Sequence, residues 1–136
     1  MAGTAEQTRS WKGGKSERLV QVVYTSDASD GSVPNESVPG LSDFALEEVI
    51  TTPSSGATAP TTTYRVKLVS ATGGTVFLGG ERALDSEERQ GGYEYNGKTP
   101  SIIDTLTLSL TAADGSAAAN IGNSNIVTIG LIFKRK

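Results

Sequence analysis

The chain of 136 residues has no cysteine and no histidine. Without cysteine there are no disulfides and no thiolate metal sites, and nothing in the composition points to an oxidising compartment. Without histidine the commonest general base at neutral pH and the commonest metal ligand are missing, so Ser-His-Asp and Cys-His sets and His-based zinc sites are excluded. Aromatics are scarce at 6%, with one tryptophan. No apolar run approaches the ~20 residues that cross a bilayer, and Met1 to Ser10 is polar without an apolar leader core. The expectation is a soluble chain made in the cytoplasm, held by packing alone, with no membrane contact.

What is present is the texture of an all-β fold. Thr105-Leu106-Thr107-Leu108-Ser109-Leu110-Thr111 places leucine at every second position and small hydroxyls between them. That is the two-residue period of a strand with one buried and one wet face. The same period predicts strands over Leu19–Tyr24, Phe44–Thr52 (a helix over 42–50 being the weaker alternative), Thr61–Ala71, Thr75–Leu78 and Ile126–Phe133. Gly73-Gly74 predicts a two-residue hairpin loop, and Asn96-Gly97 a second hairpin. Residues 25–40 and the charged stretch 81–92 read as loops, the latter with room for one helical turn. The last strand is apolar enough for the middle of a sheet, and Ile126 and Ile132 on its second face suggest a cover there, such as a neighbouring subunit. The predicted fold is an antiparallel β-sandwich of about six to eight strands over 18–136, preceded by an extended N-terminal arm, 1–17.

Charge is unevenly spread although the net value is only −3. Arg9, Lys12, Lys15 and Arg18 make the N-terminal region basic, and the chain ends Lys134-Arg135-Lys136. The body between residues 19 and 133 has 5 of the 12 basic residues against 13 of the 15 acids, a net charge of −8. A nucleic-acid binder carries a basic stripe across its folded face, so an acidic body argues against that partner. Arg9, Trp11, Lys12, Lys15, Lys134, Arg135 and Lys136 are the candidate partner-binding residues. Trp11 is a favoured kind of interface anchor that either docks on its own domain or enters another chain.

Candidates for chemistry are few. The carboxylate pairs Glu47/Glu48, Glu87/Glu88 and Asp27/Asp30 are the material for acid/base work. Neighbours on a regular strand point to opposite faces, so Glu47 and Glu48 are not expected to converge. Asp27-Ala28-Ser29-Asp30-Gly31 lacks the ligand spacing of a calcium loop, and Gly79-Gly80 and Gly91-Gly92 lack the Lys-Ser/Thr of a phosphate loop. No catalytic set, cofactor or metal is implied. A binding alternative uses loops 26–42 and 81–100 as a receptor or carbohydrate site with Tyr93 and Tyr95 as stacking surfaces, against the expectation that both tyrosines pack on the sheet or flank a hairpin.

The order of segments resembles the small β-rich virion proteins of tailed bacteriophages. The resemblance is carried by Val23-Tyr24-Thr25-Ser26-Asp27, a Pro/Gly loop, and Thr61-Thr62-Thr63-Tyr64-Arg65-Val66-Lys67-Leu68-Val69. It continues through Gly73-Gly74 to Val76-Phe77-Leu78-Gly79-Gly80, then the Thr/Leu strand 106–110 and the aliphatic strand 126–133. It spans roughly residues 18–136, rests on strand texture and order, and carries over no functional residue. It implies a structural protein of the virion, such as a capsid decoration (cement) protein or a neck or tail accessory protein. Its partners would be the major capsid protein, other virion proteins and further copies of itself, a trimer being one arrangement that suits a shell.

Overall fold

In the computed structural model the described residues are 3–12, 16–115 and 118–136, with the side chains of Trp11 and Lys12 outside the description. Nine strands are described: β1 Thr4–Lys12, β2 Glu17–Thr25, β3 Glu36–Val38, β4 Phe44–Pro53, β5 Arg65–Ser70, β6 Gly74–Leu78, β7 Glu88–Gly91, β8 Leu106–Thr111 and β9 Ile126–Arg135. They form two antiparallel sheets, ordered β1-β2-β9-β4-β7 and β3-β8-β5-β6. This is the expected β-sandwich. The apolar C-terminal strand does sit at the centre of its sheet.

Alternation explains the layers. Val20, Val22 and Tyr24 of β2, Val127, Ile129, Leu131 and Phe133 of β9, and Leu106, Leu108 and Leu110 of β8 are all buried. Together with Leu46, Val49, Val66, Leu68 and Phe77 they fill one core between the sheets. Removing such a side chain from water stabilises the fold by about 1.5–3 kcal/mol, which a chain without disulfides needs from each of many positions. One polar bond crosses the core: the Tyr24 hydroxyl donates to the Leu108 carbonyl at 3.2 Å. The Tyr64 hydroxyl is equally buried and makes no hydrogen bond among the described residues.

The departures from the sequence reading are local. The N-terminal arm is extended, but from Thr4 to Lys12 it is an edge strand paired with β2 along its whole length. Removing residues 1–17 would therefore uncover the β2 edge as well as shorten the chain. β3 and β7 lie where loops are expected. With three and four residues and a single fully buried position each, Val38 and Gln90, they are too short to show a period. The β5–β6 hairpin has a three-residue loop, since Ser70 pairs with Gly74. Gly74 takes φ +78°, the left-handed region that glycine enters without a Cβ clash. The Asp104 carboxylate holds that loop, accepting from the Ser70 and Thr72 hydroxyls and from the backbone N–H groups of Ala71 (3.1 Å) and Thr72 (3.0 Å). Asn96-Gly97 closes a turn, with the Gly97 N–H donating to the Tyr93 carbonyl at 2.7 Å, but it joins no pair of strands.

Candidate functional site: one end and the outer face of the five-stranded sheet

The register of the large sheet brings the two basic ends of the chain together. Glu17 of β2 pairs with Lys12 on one side and with Lys134 on the other, and Arg18 lies between Trp11 and Phe133. Residues more than a hundred apart in sequence thus meet at one end of one sheet. Beyond Phe133, the Arg135 N–H donates to the Ser16 carbonyl at 2.8 Å and the Lys136 N–H to the Asp43 carbonyl at 3.2 Å. The guanidinium carbons of Arg18 and Arg135 stand 4.8 and 5.0 Å from the centre of the Phe44 ring. One aromatic face then receives two cations, and desolvation together with the Arg135 charge pulls the Arg18 pKa down. Arg9 is set apart: its Nε donates to Gln7 Oε1 at 2.9 Å, on the side of the sandwich where Gln7 reaches Glu36 and the Ser37 carbonyl of β3. The Trp11 and Lys12 side chains and the whole of Lys15 lie outside the described residues.

Beside this basic end, on the outward face, is a groove of about 490 Å³ lined by Glu17, Glu47, Glu48, Tyr93, Ile132 and Lys134, with the Gly91 backbone at its edge. Glu47 and Glu48 share it, contrary to the expectation from strict alternation, because the register of β4 against β9 slips between Leu46 and Glu48. The slip has a physical cause. Up to Leu46 the free side of β4 bonds the segment around Ser101, with the Leu46 N–H donating to the Pro100 carbonyl and the Ile102 N–H to the Phe44 carbonyl. From Glu48 onward its partner is β7, and the extra residue at the change of partner is a β-bulge. Glu48 is bound by Arg89 at 3.0 Å, and Arg89 also reaches Glu87 at 3.6 Å.

Tyr93 and Tyr95 are 57% and 42% exposed. Neither flanks a hairpin, but the 3-10 turn Gly92–Glu94 folds the Tyr93 ring back against Gly91 at the end of β7, as the packing expectation has it for that residue. Loop 26–42 is divided between the two ends of the sheet. Residues 26–35 follow Thr25 at the end where Thr25 pairs with Ile126, whereas Leu41 leads into Phe44, which pairs with Arg135 at the end where Tyr93 lines the groove. The groove offers carboxylates, one ammonium and one aromatic face, which suits hydroxyl-rich or cationic ligands.

The chain matches no family model, no curated protein and no solved structure.

The rest of the outward face is mixed, with aliphatic side chains set among Thr8, Gln21, Thr52, Arg89 and Thr128. Leu19 and Val23 of β2, Ile50 of β4, and Ile126 and Ile132 of β9 all point away from the core and are partly exposed, Val23 by 36%. Of these, Ile126 and Ile132 are legible in the sequence as a second apolar face. The role of Ile50 emerges only with the bulge, which shifts the parity of β4. Among the described residues no group of three or more metal-ligating side chains converges, and no helix is long and apolar enough to cross a membrane.

Proposed function

We propose that this protein is a non-enzymatic structural protein of a tailed bacteriophage particle, which decorates or stabilises the capsid through protein–protein contacts as a homo-oligomer. A place on the neck or tail would use the same surfaces. The observation that carries the reading is the set of five aliphatic side chains on the outer face of the five-stranded sheet, partly exposed among the described residues. Single exposed aliphatics are ordinary, but five on one sheet face suit a contact surface. Two features support it. The nine-residue edge strand β1 has no strand on its outer side among the described residues, and Lys134, Arg135 and Lys136 form a cationic rim at one end of the same sheet, where β9 meets the start of β4. The acidic body sets nucleic acid aside as the partner. The test is co-sedimentation of the purified protein with particles of the encoding phage that lack it. Saturable binding at a fixed copy number, weakened by Lys134→Glu/Arg135→Glu, is the expected result. Failure to bind heads, necks and tails alike would overturn the reading.

The exposure of Tyr93 at the groove favours one second reading, a carbohydrate-binding sandwich. Aromatic faces beside carboxylates suit sugar rings, and a glycan array run with the native protein and with Tyr93→Ala decides it. Binding that Tyr93→Ala abolishes supports this reading, and a blank array removes it.

A further inference from the structure

We infer that Asn96 is a site of covalent self-modification: its side-chain amide closes on the backbone nitrogen of Gly97, releases ammonia, and leaves aspartate and isoaspartate in the turn beside Tyr93. Asparagine is among the chemically labile residues, and the structure selects which one reacts. The inference depends on neither functional reading above.

The chain has five asparagines, Asn35, Asn96, Asn120, Asn123 and Asn125. Ring closure needs the nitrogen of the following residue to reach Cγ, and a side chain on that residue obstructs the approach. Only Asn96 is followed by glycine, and a Cβ built on Gly97 would meet nothing within 4 Å, so this peptide stands in open space. The others are held or crowded. The Asn120 side chain donates to the Asp30 carbonyl and accepts from the Gly122 N–H at 3.0 Å. Asn125 is buried, its amide donating to the Ile121 carbonyl at 2.8 Å. Asn35 precedes Glu36, the first residue of β3, and Asn123 precedes Ser124.

The turn itself is open to water. Residues 93–99 form the longest unbroken run of exposed positions among the described residues. Within it the Lys98 N–H donates to Asn96 Oδ1 at 3.3 Å, which lays the side chain along the peptide that follows it and draws electron density from Cγ. The Gly97 N–H donates to the Tyr93 carbonyl at 2.7 Å, so the nitrogen is released by opening this one turn. That opening uncovers no core residue, and an exposed local turn opens far more cheaply than the whole fold. The folded protein is therefore competent, though slower than the unfolded chain.

Hydroxide removes the Gly97 amide proton, the nitrogen bonds to Cγ, and the Cγ–Nδ2 bond breaks as Nδ2 takes a proton from water and leaves as ammonia. One water then opens the cyclic imide. Cleavage at Cγ gives aspartate, and cleavage at the backbone carbonyl reroutes the main chain through Cβ and Cγ as isoaspartate. One water is consumed, one ammonia is released, and nothing is oxidised or reduced. Either product sets a new carboxylate one turn from Tyr93, whose ring lines the groove with Glu17, Glu47 and Glu48, so the aged groove is more acidic.

The test is incubation of the native protein at neutral to mildly alkaline pH, followed by trypsin, which cuts after Arg89 and Lys98 and frees residues 90–98. An unincubated sample digested alongside sets the background. The 90–98 peptide should gain the mass of an amide NH2 replaced by OH, assigned to position 96 by tandem mass spectrometry. It should separate into two products, one of them accepting a methyl group from an isoaspartyl methyltransferase. The rate should rise in proportion to hydroxide and be higher in urea. Asn96→Gln, with a side chain one methylene longer, should abolish the gain with unchanged circular dichroism. A native protein that gains no mass at position 96 while the urea-unfolded chain does would overturn the inference, as would conversion in neither state, earlier conversion of Asn123, or a gain in 90–98 that survives Asn96→Gln.

Discussion

Two buried tyrosines offer a controlled comparison, because Tyr24→Phe and Tyr64→Phe delete the same atom from two sites of equal burial. Both rings are fully inside. Burial pushes both hydroxyl pKa values well above the ordinary tyrosine value, with Glu36 adding to it at Tyr24, whereas at Tyr64 Arg82 opposes it, Glu88 adds to it and the Thr51 side chain opposes it weakly. The difference lies in hydrogen bonding. Tyr24 donates to the Leu108 carbonyl and ties the two sheets together, while the Tyr64 hydroxyl makes no well-formed hydrogen bond among the described residues, only the Thr51 side chain lying close enough to act on it through hydrogen bonding. A net hydrogen bond is worth about 1 kcal/mol, and an unsatisfied buried polar group costs about 1–3 kcal/mol. Tyr24→Phe should therefore destabilise by ~1 kcal/mol, and Tyr64→Phe should be neutral or stabilise by ~1 kcal/mol. At roughly 3 °C per kcal/mol for a chain of this size, the two variants should melt up to about 6 °C apart, on opposite sides of the native protein. Calorimetry, with urea unfolding followed by circular dichroism at 25 °C as a check, measures the gap. Equal destabilisation by both variants would show that the Tyr64 hydroxyl has a partner, an ordered water or the Thr51 side chain, and would refute the reasoning.

Three further outcomes follow from the packing. Leu108→Ala, at a fully buried position of a central strand, should cost about 2–5 kcal/mol in urea unfolding, and a loss below ~1 kcal/mol would mean that the two sheets close over the gap. Gly92→Ala should destabilise by about 1–3 kcal/mol, since the added Cβ runs into the Leu46 carbonyl at the bulge, and an unchanged Tm would show that the bulge yields. Hydrogen bonds from Ser70, Thr72 and Ala71 hold the Asp104 carboxyl below the usual aspartate range. The unfolded chain then takes up that proton first, so the contribution of Asp104 is complete above the ordinary aspartate pKa and is lost as pH falls through its lower folded value. Asp104→Asn should flatten the acid limb of a Tm-against-pH curve, and an unaltered slope would rule out Asp104 as its source.

The fold class was legible because alternation is a backbone property: a residue that follows Leu106 on a strand must face the other way from it, whatever the rest of the chain does. That rule recovered β2, β4, β5, β6, β8 and β9 and the central place of β9. It could not see β3 or β7, which are shorter than the pattern needs, nor the pairing of the arm, whose core-facing positions hold the small Ala5 and the polar Gln7 instead of large aliphatics. It also failed at Glu47 and Glu48, where a change of hydrogen-bonding partner inserts one residue and turns both carboxylates into one groove.

What the amino-acid sequence determined by itself is therefore the chemistry available and the layer architecture: no imidazole or thiol, one buried and one wet face per strand, and basic ends on an acidic body. What only the tertiary structure decided is which of these parts meet. Register placed Lys134 next to Glu17, two arginines on Phe44, and Leu19, Val23, Ile50, Ile126 and Ile132 on one outer face. Such contacts join strands distant in the chain, and strand pairing is set by long-range packing that no local run of residues encodes.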